Sequence, residues 1–353
     1  MAYNLSGVME TKEEFKIVMD GKLDGTKSKA CLFNLIVYTH DIRCEKNFTP
    51  LVEMVAPQLP CRIIFIQANK NDHEMLVKFS TVPLKENKNV SCDKITIKTH
   101  TKDLDKVPFI IYPYIVPDVP VYLLWGTDPL REKIILPKLK NFVTRLIFDS
   151  ECTDNLQEMS KDLLEQKSSW NFDVLDLNWA RFGGWREVLS KTFDSEERFS
   201  QLKNASSFKI KYNDLHNEQF SNPDTQAIYL QGWLASQLGW TFVKMENNVI
   251  YYQGSQLVKV ELIPDQDQKY SSEDILEFEV ADQNNYQCTI SRKGENHVVV
   301  HASNQFQCMV PFTLLLSSLK GRTFIQDVFY HRISPHYFSM LKMITKADWR
   351  HHG

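Results

Sequence analysis

Cys31-Leu-Phe-Asn-Leu-Ile-Val-Tyr38 and Cys61-Arg-Ile-Ile-Phe-Ile66 are the stretches whose reading decides the fold. Both are nearly continuous in apolar residues, as a strand buried on two faces requires. Between them Leu51, Val52, Val55 and Leu59 recur at helical spacing over Thr49 to Leu59. A buried strand, a helix and a second buried strand make a βαβ unit with parallel strands. Further along, Met75 to Val82 and Cys92 to Thr101 are expected as antiparallel edge strands, the second alternating Ile95, Ile97 and Thr99 with lysines. A helix near Asp103 to Tyr112, a strand at Val119 to Leu124, a helix around Leu130 to Asn141 and a strand at Thr144 to Asp149 complete the pattern. The expected fold of this half is α/β, with a layered, mostly parallel, Rossmann-like sheet. Toward the amino terminus, the polar, Lys-rich start reads as a short helix from Lys12 to Met19 and then a loop.

A helix is expected from Asp154 to Lys167, and beyond Asn204 the texture changes to strands separated by turns. The strands are expected at Ser207–Tyr212, Trp240–Met245, Val249–Tyr252, Leu257–Ile263, Ile275–Val280, Tyr286–Arg292 and His297–His301, with tight turns at Asn247-Asn248 and at Lys293 to Asn296. Helices at Thr225 to Leu238, Pro311 to Leu319 and Thr323 to Met343 would bracket this sheet. The expectation is an α/β domain over 1–168 followed by an α+β domain with an antiparallel sheet over 169–353.

The chain has 353 residues, 43% hydrophobic and 24% charged, so it holds enough apolar surface for two cores without disulfides or metals. A net charge of −3 supplies no field for a nucleic acid. The longest apolar runs, Phe109–Tyr112 and Val119–Trp125, fall well short of the roughly 18 to 20 residues that cross a bilayer. Nothing at Met1 to Ser6 reads as a leader, and a cytoplasmic location is expected. The seven cysteines lack any Cys-x-x-Cys pair and read as small buried hydrophobes.

Signatures of chemistry are absent. The segment after the first buried strand, Thr39 to Asn47, contains no glycine, so a dinucleotide pyrophosphate could not approach its backbone. Neither a Walker pattern, a Gly-x-Ser-x-Gly elbow nor a His-Glu-x-x-His helix occurs. His297 and His301 share a strand face without a carboxylate or Cys companion, which does not make a metal site. No cofactor is expected.

Three stretches are unusual for plain packing. In Tyr112 to Trp125, Pro113, Pro117 and Pro120 stiffen the backbone around Asp118, either as a crossover loop or to present an acidic residue at a ligand-prone sheet end. In Asp173 to Asp194, Leu175, Trp179, Phe182, Trp185, Leu189 and Phe193 form a stripe at the helical period, with a break or a close contact expected at Gly183-Gly184. Asp176, Arg181, Arg186 and Glu187 in the same run are not explained by core packing, and an arginine among tryptophans must be stacked, paired or at a partner surface. In Ala227 to Trp240, an amphipathic helix ends with Gly239 past its last turn.

Together these stretches resemble the glucose-6-phosphate dehydrogenase assembly protein family, OpcA. The resemblance rests on Cys31 to Tyr38 with Pro60-Cys61-Arg62, Val116 to Trp125, Phe148-Asp-Ser150, Asp176-Leu-Asn-Trp-Ala-Arg181 with Trp185-Arg-Glu187, and Gly232-Trp-Leu-Ala235 with Leu238-Gly-Trp240. It departs at Gly183-Gly184, where the family carries Thr-Pro, and at Leu124, where a second tryptophan is usual. The resemblance implies a non-catalytic partner that binds glucose-6-phosphate dehydrogenase and promotes its assembly or activates it allosterically. Trp and Arg dominate binding hot spots, so Asp176, Trp179, Arg181, Trp185, Arg186 and Glu187, with Asp118, are the candidate partner-binding residues. The competing expectation is an enzyme or nucleotide-binding protein using a sheet mouth formed by Thr39–Lys46 and Asp118.

Overall fold

A computed structural model describes residues 8–10, 15–19, 28–40, 42–72, 74–84, 90–126, 128, 133–215, 222–247, 249–317, 328–329 and 334–349. The chain forms two compact units, one of residues 1–152 with 168–175, the other of 153–167 with 176–353. A single cut at 168/169 does not describe this path, because the helix before that point belongs with the later residues and the strand after it with the earlier ones.

The first unit carries β1 (Val8–Glu10), β2 (Phe15–Met19), β3 (Ser28–Lys29), β4 (Phe33–Thr39), α1 (Ile42–Val55), β5 (Cys61–Asn69), β6 (Met75–Pro83) and β7 (Val90–His100). α2 (Val107–Ile111), β8 (Val121–Gly126), α3 (Ile135–Leu139) and β9 (Arg145–Phe148) follow. With β10 (Asp173–Asp176), these strands build one ten-stranded sheet in the order β1-β2-β6-β7-β5-β4-β8-β9-β10, with β3 against β7. The run from β7 through β5, β4 and β8 to β9 is parallel throughout. All seven residues of β4 are buried, which explains its unbroken apolar pattern.

Two expectations are corrected here, and one open alternative is decided. Of the helix expected over Lys12 to Met19, residues 12–14 lie outside the described ones, and Phe15 to Met19 is β2, parallel to β6. β7 is antiparallel to β6, but it lies inside the sheet with β5 on its other side and is no edge. The Pro-rich stretch is a latched connection at the amino ends of the strands: buried Asn34 donates to Val116 O at 3.0 Å and accepts from Val116 N at 2.8 Å. Arg62 donates to Tyr114 O at 3.1 Å and pairs with Asp93 at 2.7 Å.

The second unit holds α4 (Leu156–Gln166), α5 (Leu177–Arg181), α6 (Gly183–Thr192), α7 (Glu196–Lys203), β11 (Ser207–Asn213) and α8 (Thr225–Gln237). It continues with β12 (Thr241–Glu246), β13 (Val249–Gln253), β14 (Leu257–Asp265), β15 (Ile275–Ala281), β16 (Gln287–Arg292), β17 (His297–Ser303), β18 (Phe312–Leu315) and α9 (Pro335–Ile344). Its eight strands run β12-β13-β14-β11-β15-β16-β17-β18, antiparallel except for β11 with β14. Pro311 to Leu319 was expected as a helix, yet Phe312 to Leu315 pairs with β17. The expected helix from Thr323 to Met343 is seen at its end as α9, and residues 318–327 and 330–333 lie outside the described ones. The helix of Thr225 to Leu238 stands as α8, and Gly239 takes φ +67°, the left-handed conformation that ends such a helix.

The second sheet alternates: every other residue of β11, β14 and β15 is buried, among them Phe208, Ile210, Val258, Val260, Phe278 and Val280. α8 packs on β11 and β14, α9 packs on α8 and α4, and α5 packs on α8.

Candidate functional site

The stripe of Asp173 to Asp194 is not one helix. It starts as β10, bends at Asp176 into α5, breaks at Phe182 and resumes as α6, so the break falls one residue before the expected Gly183-Gly184. Asp176, fully buried, is the corner: its Oδ1 accepts from Asn178 N at 3.0 Å, and its Oδ2 accepts from the hydroxyls of Tyr229 at 2.6 Å and Tyr337 at 3.1 Å. One carboxylate thereby caps α5 and ties it to α8 and α9. Burial and the neighbouring Asp176 push the Tyr337 hydroxyl well above the ordinary tyrosine value, which keeps it a donor.

Arg186 answers the question of an arginine among aromatics by stacking. Its guanidinium lies 3.7 Å from the Trp179 ring centre and 4.3 Å from that of Phe182, and Nη1 donates to Trp179 O at 2.6 Å. This clamp bridges the α5–α6 break. Glu187, on the outer side of α6, accepts from Lys191 at 2.6 Å and from the Ser317 hydroxyl at 2.9 Å, which together hold its carboxyl below the ordinary 4.5. Gly184 faces the chain after β18 so closely that an added Cβ would lie 2.9 Å from Ser317 O, so glycine there serves close approach.

The structure thus gathers Asp176, Trp179, Arg181, Trp185, Arg186 and Glu187 around one joint of the second unit. Asp176, Trp179 and Trp185 are buried, whereas Arg181, Arg186 and Glu187 keep exposed surface. Asp118 is elsewhere, exposed in a turn with φ 64° in the first unit. It precedes β8 and so sits at the amino ends of the strands, while Thr39 ends β4 in register with Gly126, at their carboxyl ends. Five residues of strand, about 16 Å, separate the two ends, so Thr39–Lys46 and Asp118 form no common mouth. At the carboxyl end the Phe48 ring of α1 lies against Gly126, and a Cβ there would meet Phe48 Cδ2 at 2.8 Å.

Beside the joint, Arg181, Gly184 and Trp185 line a cleft of about 110 Å³ with residues that no sequence pattern singled out. Lys269, Tyr270, Ser271 and Asp274 come from the β14–β15 connection, Arg292 and Glu295 from the β16–β17 turn, and Gln226 from the first turn of α8. Buried Asn213 shapes the connection: its Nδ2 lies 3.1, 3.0 and 2.9 Å from the carbonyls of Asp267, Tyr270 and Ser271, and its Oδ1 accepts from Asp267 N at 2.9 Å. Arg292 pairs with Asp274 at 2.7 Å and lies 4.9 Å over the Tyr270 ring. These residues meet only through loops, so no periodicity could have found them; an Asn closing a strand before a polar connection was the only hint.

Among the described residues no group of His, Cys, Asp or Glu is placed to hold a metal ion, and no helix is long and apolar enough to cross a membrane.

Family comparison matches residues 52–165 to the glucose-6-phosphate dehydrogenase subunit N-terminal domain and residues 173–317 to the corresponding C-terminal domain. The OxPP cycle protein OpcA of Synechococcus elongatus is 28% identical over 198 residues, covering 54% of this chain and 42% of that protein. The OpcA of Synechocystis sp. is 27% identical over 212 residues, covering 56% and 42%. The chain therefore aligns with less than half the length of these relatives. Among solved structures, a variant of the 3-ketoreductase KijD10 from Actinomadura kijaniata superposes with a TM-score of 0.48 at 11% identity, over 90% of this chain and 97% of that one. A glucose-6-phosphate dehydrogenase bound to its substrate gives 0.47 at 9%, over 89% and 86%. Nothing about activity follows from likeness at that level. The two domain matches, which together run from the end of α1 to just past β18 and include the α5–α6 joint, make this chain a member of the OpcA family of glucose-6-phosphate dehydrogenase assembly proteins.

Proposed function

We propose that this chain acts by binding glucose-6-phosphate dehydrogenase, promoting its assembly and activating it allosterically, without catalysing a reaction itself. The observation that carries this reading is the match of both units to domains described as subunits of that enzyme. Two features support it. The turn after β4 lacks glycine, and the Phe48 ring occupies the carboxyl end of the sheet where a Rossmann-like fold would hold a dinucleotide. On the second unit, Leu315 at the end of β18 is exposed two residues before Ser317, whose hydroxyl donates to Glu187. An apolar side chain near the polar Glu187 matches the composition that partners bury. Asp176, Trp179 and Trp185 then position that surface from beneath, and Arg181, Arg186 and Glu187 belong to it. Asp118, in the other unit, is a separate candidate contact.

An activator must bind one state of its target better than another. Steady-state kinetics and sedimentation of the cognate dehydrogenase, with and without this chain, test the reading. A rise in rate or in oligomer size, lost in a folded Arg181→Ala/Arg186→Ala variant, is expected. A dehydrogenase indifferent to the chain at every concentration, or turnover by the chain alone, refutes it.

A further inference from the structure

The cleft beside the joint has a lining that packing does not explain. Three cationic side chains, Arg181, Lys269 and Arg292, face it together with the carboxylates Asp274 and Glu295. Arg292 neutralises Asp274 across 2.7 Å. Lys269 joins the hydrogen-bond network only through its backbone N–H, which donates to Asp267 at 2.9 Å; among the described residues its ammonium has no partner. Gln226 is 4% exposed, lines the cleft, and its side-chain amide makes no hydrogen bond among the described residues. Its amide therefore reaches the open cleft, where a ligand could bond it. The Nε of Arg292 is likewise buried without an acceptor.

Charge and size narrow what could arrive. A bare anion would meet Lys269 and Arg181 but also Glu295, so it would be held poorly. A ligand with hydroxyl donors as well as an anionic group satisfies both kinds of wall, the hydroxyls donating to Glu295 and Gln226 Oε1. A space of about 110 Å³ is well below the pockets that take drug-sized ligands, roughly 300 Å³ and above, and cannot enclose a dinucleotide.

We propose that this cleft binds a phosphorylated monosaccharide, with Lys269 and Arg181 on the phosphate and Gln226, Glu295 and Ser271 on the ring hydroxyls. The loop carrying Lys269 is held in shape by buried Asn213, so the site is built before the ligand comes. The inference stands on the cleft alone and does not require that the dehydrogenase be the partner.

Isothermal titration of the full chain, with no dehydrogenase present, tests it using glucose 6-phosphate, glucose and inorganic phosphate as separate probes. Saturable binding of glucose 6-phosphate is expected, with glucose and phosphate each at least about tenfold weaker, and a loss of about tenfold in Lys269→Glu and in Gln226→Leu. Lys269 is exposed, so its variant should fold as the parent does, which an unchanged melting temperature verifies. No saturation by about 10 mM, parent-like affinity in Lys269→Glu, or phosphate alone binding as tightly as the sugar phosphate overturns the proposal.

Discussion

Two places in this molecule could hold a ligand by position, and the chain treats them oppositely. The carboxyl end of the first sheet, where β4 and β8 end side by side, is filled by the protein's own Phe48, which is 1% exposed. The cleft of the second unit stays open, and its walls include a polar loop held in shape by buried Asn213. Topology alone would have pointed to the first place, because sheets of this type bind at strand carboxyl ends. There the Phe48 ring packs against Gly126, close to the end of β8.

The contrast can be broken by substitution. The largest effect is expected at the filled end. Phe48→Ala should cost about 4 kcal/mol in urea unfolding, because the ring leaves a cavity the surrounding strands cannot close; a loss below about 1 kcal/mol would mean that the end is not packed as described. Behind the open cleft, Asp176→Ala should cost about 3 kcal/mol, since two buried hydroxyls and the Asn178 N–H lose their acceptor. Near-parent stability would show that the carboxylate is not what ties α5 to α8 and α9.

Smaller effects sharpen the comparison. Gly184→Ala should destabilise by about 2 kcal/mol through its clash with the Ser317 carbonyl, while Gly183→Ala, whose added Cβ finds only the flexible Arg186 end at 3.5 Å, should stay within about 1 kcal/mol of the parent. Equal outcomes for the two glycines would remove close approach as the reason for Gly184. Arg186→Ala should cost about 1 kcal/mol by unstacking from Trp179 and Phe182.

The smallest change is expected for Glu187→Gln, a few tenths of a kcal/mol at neutral pH, because the Glu187–Lys191 pair is about half exposed. Glu187 titrates below its ordinary 4.5, so its contribution is present above that value and is lost as pH falls through the folded value. The difference between parent and variant should therefore vanish in acid, and a difference that grows there would contradict the assignment.

How far residues alone could be read depended on whether neighbours in sequence or in space set the structure. The alternation in β11, β14, β15, β16 and β17 placed them closely, since a one-sided strand repeats every second residue whatever its partner. Phe312-Thr-Leu-Leu315 misled, because a short apolar run fits a helix or a strand equally and pairing with β17 decides. Phe15-Lys-Ile-Val-Met19 misled for the same reason, its pairing with β6 lying far along the chain. The joint at Asp176 was visible as an odd mixture of Trp, Arg and acids, but the tyrosines that give it meaning come from positions 53 and 161 residues away.

From the residues in order came the two-layer character of each half, the parallel β4–α1–β5 core and the antiparallel second sheet. These depend on local periodicity, which a linear chain already carries. Only the folded structure decided that Asp118 and Thr39 lie at opposite strand ends, that Arg186 spends its charge on Trp179 and Phe182, and that Lys269, Arg292 and Gln226 face one cleft. Such meetings are set by which loops the packed sheets bring together, and contact across space leaves no period in the sequence to read.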